Sequence, residues 1–397
     1  MASYTPRTLE AQLRAAVRGF AAIVLTGPRR SGKTTLLRHL FPRATYVLAE
    51  DPDVIGRLRA DPQGFLDSVK LPVILDEVQN VPEVFAFVRS RIDRRPRAKG
   101  QWLLTGSQEA PLMRNVSESM AGRAAVLQLL PLSASESDRV GPFRGGYPEA
   151  LARPRDARLW FASYVQTYLE RDVRQILNVR DLALFRRFLA VLATRHGQVL
   201  NKTDIAAPLG VSVPTITQWL GILETTLQIA LVPPYHENLG KRLLRAPKLY
   251  LLDSGLACHL LGIESEAELR RSPMRGAVFE GFIASEIVKS QLHQGRRREL
   301  YYFRDQQGLE VDFVVPAGAG AVQLIEAKAS ATVNAHMAEP MRKLAAAFAR
   351  RRHAPRVAMT IVHEAPRAGA DLRTVAPGVR AEPWQAWARC LARRGPA

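Results

Sequence analysis

The stretch Ile23-Val-Leu-Thr-Gly27-Pro-Arg-Arg-Ser-Gly32-Lys33-Thr34-Thr35 constrains this chain more than any other. Apolar and β-branched residues run into Gly27, the following positions read G-x-x-x-x-G-K-T, and Leu36, Leu37 and Leu40 recur at helical spacing. Strand, glycine loop and helix in that order are what a phosphate-binding P-loop needs. Gly27 and Gly32 let the backbone wrap an anion, so that its N–H groups and the helix N-terminus face the oxygens. Pro28, Arg29, Arg30, Ser31 and Thr35 complete the expected binding loop. Lys33 is expected to reach the β- and γ-phosphates, and the Thr34 hydroxyl to sit on Mg2+. A nucleoside triphosphate is the implied ligand.

The neighbouring elements fit a parallel sheet built around that loop. Leu9, Leu13 and Val17 recur every four residues, with Arg7, Arg14 and Arg18 between them, which predicts an amphipathic helix ahead of the strand. A second strand is expected at Thr45-Tyr-Val-Leu. Leu71-Pro-Val-Ile-Leu-Asp76-Glu77 is an apolar run ending in two acids, as when a buried strand delivers carboxylates to the C-terminal edge of a sheet. Asp76 is expected to hold Mg2+ through water, and Glu77 to orient and deprotonate the attacking water. In the strand Trp102-Leu-Leu-Thr105-Gly-Ser107, either Thr105 or Ser107 stands where a γ-phosphate sensor belongs; a strand-capping turn is the alternative. Arg123, after Ser119-Met-Ala-Gly, is either an arginine finger for a neighbouring subunit or a surface arginine.

That order of motifs resembles AAA-type (AAA+) P-loop ATPases. Leu104-Thr105-Gly-Ser107, Ser119-Met-Ala-Gly-Arg123, Pro131-Leu-Ser-Ala-Ser-Glu136 and Gly145-Gly-Tyr-Pro148-Glu are similar to one prokaryotic AAA family whose C-terminal domain is restriction-endonuclease-like and of unknown function. The resemblance continues through Tyr168-Leu-Glu-Arg-Asp172, Lys248-Leu-Tyr-Leu-Leu-Asp253-Ser-Gly-Leu256 and Glu310-Val-Asp312-Phe. It implies an ATPase of the ring- or switch-forming kind, with ATP and Mg2+ as cofactors and a homo-oligomer, a hexameric ring included, as its assembly. Gly146 and Pro148 also look like the lid segment that packs near the adenine in related switch ATPases; a plain turn is the alternative.

Beyond residue 185 the pattern changes. Ile205 and Leu209 precede Gly210, Ser212 caps a second helix, and Ile216, Trp219 and Leu220 form a core stripe. This is the layout of a helix-turn-helix, and it leaves Thr215, Thr217 and Gln218 on the outer face, where a major groove would take them. Strand residues near Gln228–Val232 and the basic Lys241, Arg242 and Arg245 suit a wing on the phosphates. Winged helices also serve protein contacts. Further on, Asp312 and Glu326 end adjacent predicted strands, and Lys328 follows Glu326 on the same strand face. This is the D…E-x-K arrangement of PD-(D/E)xK nucleases. Asp312, Glu326 and a glutamate from the preceding helix, Glu280 or Glu286, would hold Mg2+, with Lys328 stabilising hydroxide and the developing charge. The same fold also occurs as an inert or DNA-binding module.

The net charge of +19 and pI near 10.6 favour a polyanionic partner, duplex or branched DNA first and a membrane surface second; an arginine-rich proteome is the plain alternative. The two cysteines suit neither a disulfide framework nor a zinc site. No apolar run reaches the ~20 residues of a membrane span, so no membrane partner and a cytoplasmic protein are expected. The expected architecture is α/β throughout: an AAA-type ATPase core over 1–135, a helical lid over 136–184, a winged helix over 185–247 and a restriction-endonuclease-like domain over 248–397. Three functions remain open on sequence alone. One is an ATP-hydrolysing DNA-processing motor or remodeller. The others are an ATP-controlled switch acting on protein partners and an ATP-gated Mg-dependent nuclease.

Overall fold

The computed structural model describes residues 4–107, 119–169, 181–235, 246–318, 320–350, 353–364 and 373–393. They divide into two compact units. The first comprises residues 1–132 with two later segments, 221–228 and 292–296; the second holds the remainder.

The first unit is built on a five-stranded sheet of β1 (Ala22–Gly27), β2 (Thr45–Leu48), β3 (Val73–Asp76), β4 (Trp102–Ser107) and β5 (Ala124–Gln128), in the order β2-β3-β4-β1-β5. All the pairings are parallel. Such a sheet is covered on both faces, which is why β1 reads as an unbroken apolar run. Ile23 and Leu25 pack on one side with Leu9, which caps α1 (Glu10–Gly19), Leu13 within it, and Leu36, Leu37 and Leu40 from α2 (Lys33–Leu40). Ala22 and Val24 face the other side, where Leu58 of α3 (Pro52–Ala60), Phe65 of α4 (Pro62–Ser68) and Phe85 and Val88 of α5 (Val84–Arg94) close the layer. Each such aliphatic side chain contributes about 1.5–3 kcal/mol on burial. Helix starts are set locally: the Asp51 and Asp61 carboxylates accept from the Asp53 and Gly64 N–H groups, with prolines at the next position.

Arg7 departs from the expected polar face of the first helix. It precedes α1 and is buried, its guanidinium donating to the carbonyls of Ser31 at 3.0 Å and Leu130 at 2.6 Å. A second late contribution reaches the same place, since the Leu130 N–H donates to His293 Nε2 at 3.1 Å.

In the second unit, α6 (Pro148–Ala152) and α7 (Ala157–Tyr164) carry an aromatic cluster in which Trp160 stacks on Tyr164 at 5.1 Å. The Gly146 N–H is held by Asp253 at 2.7 Å. Next come α8 (Leu182–Thr194), α9 (Lys202–Ala206) and α10 (Val213–Thr225). Gly210 takes φ +65°, and the axes on either side of it turn through 111°. Phe185 and Phe188 of α8 pack on Trp219. An antiparallel pair follows, β6 (Ile229–Val232) with β7 (Lys248–Leu251).

After α11 (Ser254–Leu260), α12 (Glu266–Arg271) and the long α13 (Arg275–His293), a six-stranded sheet completes this unit. Its strands are β8 (Tyr301–Arg304), β9 (Glu310–Pro316), β10 (Ala321–Lys328), β11 (Arg356–His363), β12 (Arg373–Ala376) and β13 (Val379–Pro383), ordered β12-β13-β11-β10-β9-β8. β9 and β10 are antiparallel while β10, β11 and β13 run parallel, so β11 extends the sheet beyond the Asp312–Glu326 strands. Met341, Leu344 and Phe348 of α14 (Glu339–Ala349) fill the core against Val322 and Leu324, and α15 (Trp384–Arg393) ends the described chain. Among the described residues no single helix is long and apolar enough to cross a membrane.

Candidate nucleotide site and C-terminal acid cluster

The loop after β1 needs its glycines. Gly27 has φ +145°, and a Cβ there would lie 2.2 Å from the Leu129 carbonyl oxygen; Gly32, at φ +98°, precedes the first turn of α2. Lys33 is buried and donates to the carbonyls of Gly27 at 3.1 Å and Pro28 at 2.9 Å. Among the described residues the Ser31 Oγ, fully buried in the loop, has no hydrogen-bond partner. Arg29 is buried, while Arg30 (φ +62°) and Thr35 are exposed.

Asp76 is the hub. Its carboxylate accepts from Thr34 Oγ1 at 2.8 Å, from the Tyr46 hydroxyl at 2.8 Å and from the Thr105 hydroxyl. β4 lies between β1 and β3, so Thr105 at its end fills the gap between the P-loop and the Asp76 strand. The Thr105 oxygen also accepts the Glu77 N–H at 3.2 Å. Glu77 takes φ +57°, a left-handed conformation that costs a non-glycine residue of order 1–3 kcal/mol. That geometry is held by Thr105 and by Asn80 Nδ2, which donates to the Glu77 carbonyl at 3.0 Å. The Glu77 carboxylate meets the Gln79 amide and lies 3.9 Å from Arg29. Burial, then the Asp76 carboxylate, pushes the Tyr46 hydroxyl upward, so it remains a donor. Thr34 and Asp76 supply a hydroxyl and a carboxylate side by side, hard oxygen donors of the kind Mg2+ takes beside phosphates.

The remaining predicted residues fall in several places. Ser107 pairs with Gly27 in the β1–β4 register. Arg123 immediately precedes β5, at the sheet edge opposite the P-loop, with its guanidinium in a two-point pair to Asp93 at 2.6 and 3.0 Å. A six-residue strand spans roughly 20 Å, so Arg123 does not reach the P-loop of its own subunit. Thr217 and Gln218 are exposed on α10 and Thr215 is half-buried. Lys241, Arg242 and Arg245 lie outside the described residues.

The predicted C-terminal acids converge. Asp312 Oδ2 accepts the Ala327 N–H at 2.9 Å, and Lys328 Nζ lies 2.6 Å from Glu326 Oε1. Glu280 also reaches this centre, whereas Glu286 accepts the Ala134 N–H at 2.7 Å and pairs with Lys289. Two groups that the pattern did not single out join them: Lys248, paired with Glu280 and Glu310, and Tyr250, whose hydroxyl donates to Glu280 at 2.5 Å. Burial, then the Asp312 charge, raises Glu280 to about 7 and Glu326 to about 8. Burial would lower Lys248, but the carboxylates of Glu280, Asp312 and Glu310 outweigh it and hold the ammonium charged. Among the described residues no three His, Cys, Asp or Glu side chains are arranged to hold a metal ion. Of the expected ligands, Glu280 Oε1 and Glu326 Oε1 each face a lysine, and Asp312 Oδ2 faces the Ala327 N–H.

Residues 19–137, which carry the P-loop, Asp76, Glu77, Thr105 and Arg123, match the family described as AAA domain. Over 320 residues the chain is 37% identical to the uncharacterized protein Rv2008c of Mycobacterium tuberculosis, covering 78% of this chain and 70% of that one; Mb2031c of Mycobacterium bovis matches equally. The chain belongs to the family of these mycobacterial proteins. Its N-terminal unit is a P-loop domain of AAA type. Residues 142–267 and 275–375 match two further families, each described as a domain of unknown function (DUF8612 and DUF4143). The Walker-type ATPase PABY2304 of Pyrococcus abyssi gives a TM-score of 0.40 at 16% identity, over 64% of this chain and 94% of that one.

Proposed function

We propose that this protein is a cytoplasmic ATPase that binds ATP with Mg2+ at the P-loop, hydrolyses it, and acts on or is regulated by DNA. The observation that carries the hydrolysis is the Asp76 hub, which ties Thr34 of the P-loop helix to Thr105 and, through Thr105, fixes the backbone of Glu77. The P-loop N–H groups bind the phosphates, and Lys33 exchanges the Gly27 and Pro28 carbonyls for β- and γ-phosphate oxygens. Thr34 and Asp76 would hold Mg2+, which when bound neutralises charge on those oxygens. Glu77 orients the attacking water and takes its proton, with Arg29 and Gln79 steering the carboxylate.

Support for DNA comes from the +19 charge and from the bend between α9 and α10, which leaves Thr217 and Gln218 exposed. The α8–α10 and β6–β7 segment is read as a winged helix, and the six-stranded unit as restriction-endonuclease-like. Arg123, far from its own P-loop, supports a homo-oligomer in which it serves a neighbour.

The test is Mg2+-dependent ATP hydrolysis, alone and with single-stranded, duplex and branched DNA, using Glu77→Gln as control. Stimulation by one DNA form, with binding that weakens at a log–log salt slope of about −0.9 per phosphate contact on duplex, is the expected result. Hydrolysis indifferent to every DNA would leave a switch acting through protein partners.

A further inference from the structure

The acid cluster of the second unit contains a cation of its own. Lys248 opens β7 with its side chain 4% exposed, and its Nζ lies 2.9 Å from Glu280 Oε1 and 2.6 Å from Glu310 Oε1. The Tyr250 hydroxyl donates to the same Glu280 oxygen, and the Tyr302 ring lies 5.6 Å from the ammonium. Lys328 occupies Glu326 Oε1, and the Ala327 N–H occupies Asp312 Oδ2. A divalent ion needs several oxygens facing one point at 2.0–2.6 Å. Here one oxygen of each acid, Glu280 Oε1, Glu310 Oε1, Glu326 Oε1 and Asp312 Oδ2, is turned to an ammonium, hydroxyl or amide hydrogen.

We infer that Lys248 is the resident cation of this centre: its ammonium takes the place of a divalent metal between Glu280 and Glu310, and the unit does not cleave nucleic acid by metal-assisted hydrolysis. The inference rests on the restriction-endonuclease-like reading of this unit and is separate from ATP hydrolysis. A buried charge paired on two sides is tolerated, but removing one partner strands the others. Loss of the ammonium therefore leaves clustered carboxylates that a small divalent cation would neutralise.

The test is calorimetric titration of MnCl2 into the full-length, nucleotide-free protein after stripping with EDTA, comparing the wild type with Asp312→Asn. No Asp312-dependent binding is expected in the wild type, and no Mn2+- or Mg2+-dependent nicking of supercoiled plasmid. Lys248→Met is expected to gain a Mn2+ site at least tenfold tighter than any in the wild type, lost again in Lys248→Met/Asp312→Asn. Should Lys248→Met not fold, Lys248→Gln keeps a polar group there, and the wild-type comparison decides by itself. Asp312-dependent binding or nicking by the wild type overturns the inference. A folded Lys248 variant that gains no site overturns the role given to Lys248. Retained ATP hydrolysis in every variant separates these outcomes from failure of the ATPase reading.

Discussion

The Thr34 hydroxyl lies 2.8 Å from Asp76 Oδ2, joining the first turn of the P-loop helix to the end of a strand that is not adjacent to β1. The strand in between contributes Thr105, which bonds the same carboxylate and the Glu77 backbone. With the Tyr46 hydroxyl of β2, three side chains from three separate segments share one carboxylate.

Thr105→Val keeps the shape and removes both bonds. Stability is expected to fall by about 1–3 kcal/mol, the cost of leaving buried polar partners unmet. Hydrolysis should fall roughly 10- to 100-fold, because Glu77 loses the anchor for its left-handed backbone. Denaturant melts and steady-state ATPase rates check both, and a fluorescent ATP analogue should still bind within a few-fold of wild type.

Glu77→Gln is expected to bind ATP and stall, with turnover down by about 100-fold or more. Lys33→Ala should instead lose nucleotide affinity together with turnover. Equilibrium binding and phosphate release distinguish the two; full turnover in Lys33→Ala would remove the P-loop from the mechanism.

Arg123 and Asp93 form an exposed pair, which solvent makes cheap to open. Arg123→Ala is expected to reduce hydrolysis on the scale of an arginine finger, about 10³-fold or more. Mixing it with Lys33→Ala should restore activity, because each variant supplies what the other lacks at a shared interface. If mixing restores nothing, Arg123 has no role in a neighbour's site.

His196 gives a pH dependence. It is fully buried, accepts the Leu251 N–H on Nδ1 at 3.0 Å, and burial lowers it from 6.5 to about 4. Between those values the unfolded chain takes up the proton and the folded chain does not. Stability from this group is therefore whole above pH 6.5 and is lost as pH falls toward 4, reaching about 2 kcal/mol of loss at pH 5. Melting curves of the wild type and His196→Asn, which keeps an acceptor near the Nδ1 position, should differ in acid slope by that amount.

The P-loop, the Asp76–Glu77 strand end, the Asp312–Glu326–Lys328 convergence and the 111° turn at Gly210 were legible because each is written in consecutive residues or fixed spacing. Arg7, Tyr46 and Lys248 were not. Arg7 reads as one of several arginines on a helix, and only the approach of Ser31 and Leu130 marks it as buried. Tyr46 and Lys248 sit in short apolar strands, and their partners lie about thirty residues further along the chain. The one available signal was a polar head within an otherwise apolar strand. Glu286, equal to Glu280 as a helix glutamate, is drawn off by Lys289 and the Ala134 N–H, contacts that spacing cannot foresee.

The Leu130 N–H, beside the Arg7 anchor of the P-loop, is satisfied by His293, and residues 292–296 belong to the first unit. During synthesis the five-stranded sheet emerges long before that histidine. At ~5–20 residues per second, the 160 residues separating 132 from 292 take roughly 8–30 seconds to translate. For that interval the nascent first unit has all five of its strands but lacks its last segment. The ribosome thus delays completion of the P-loop's surroundings until residues 292–296, which begin at the end of α13, have been made.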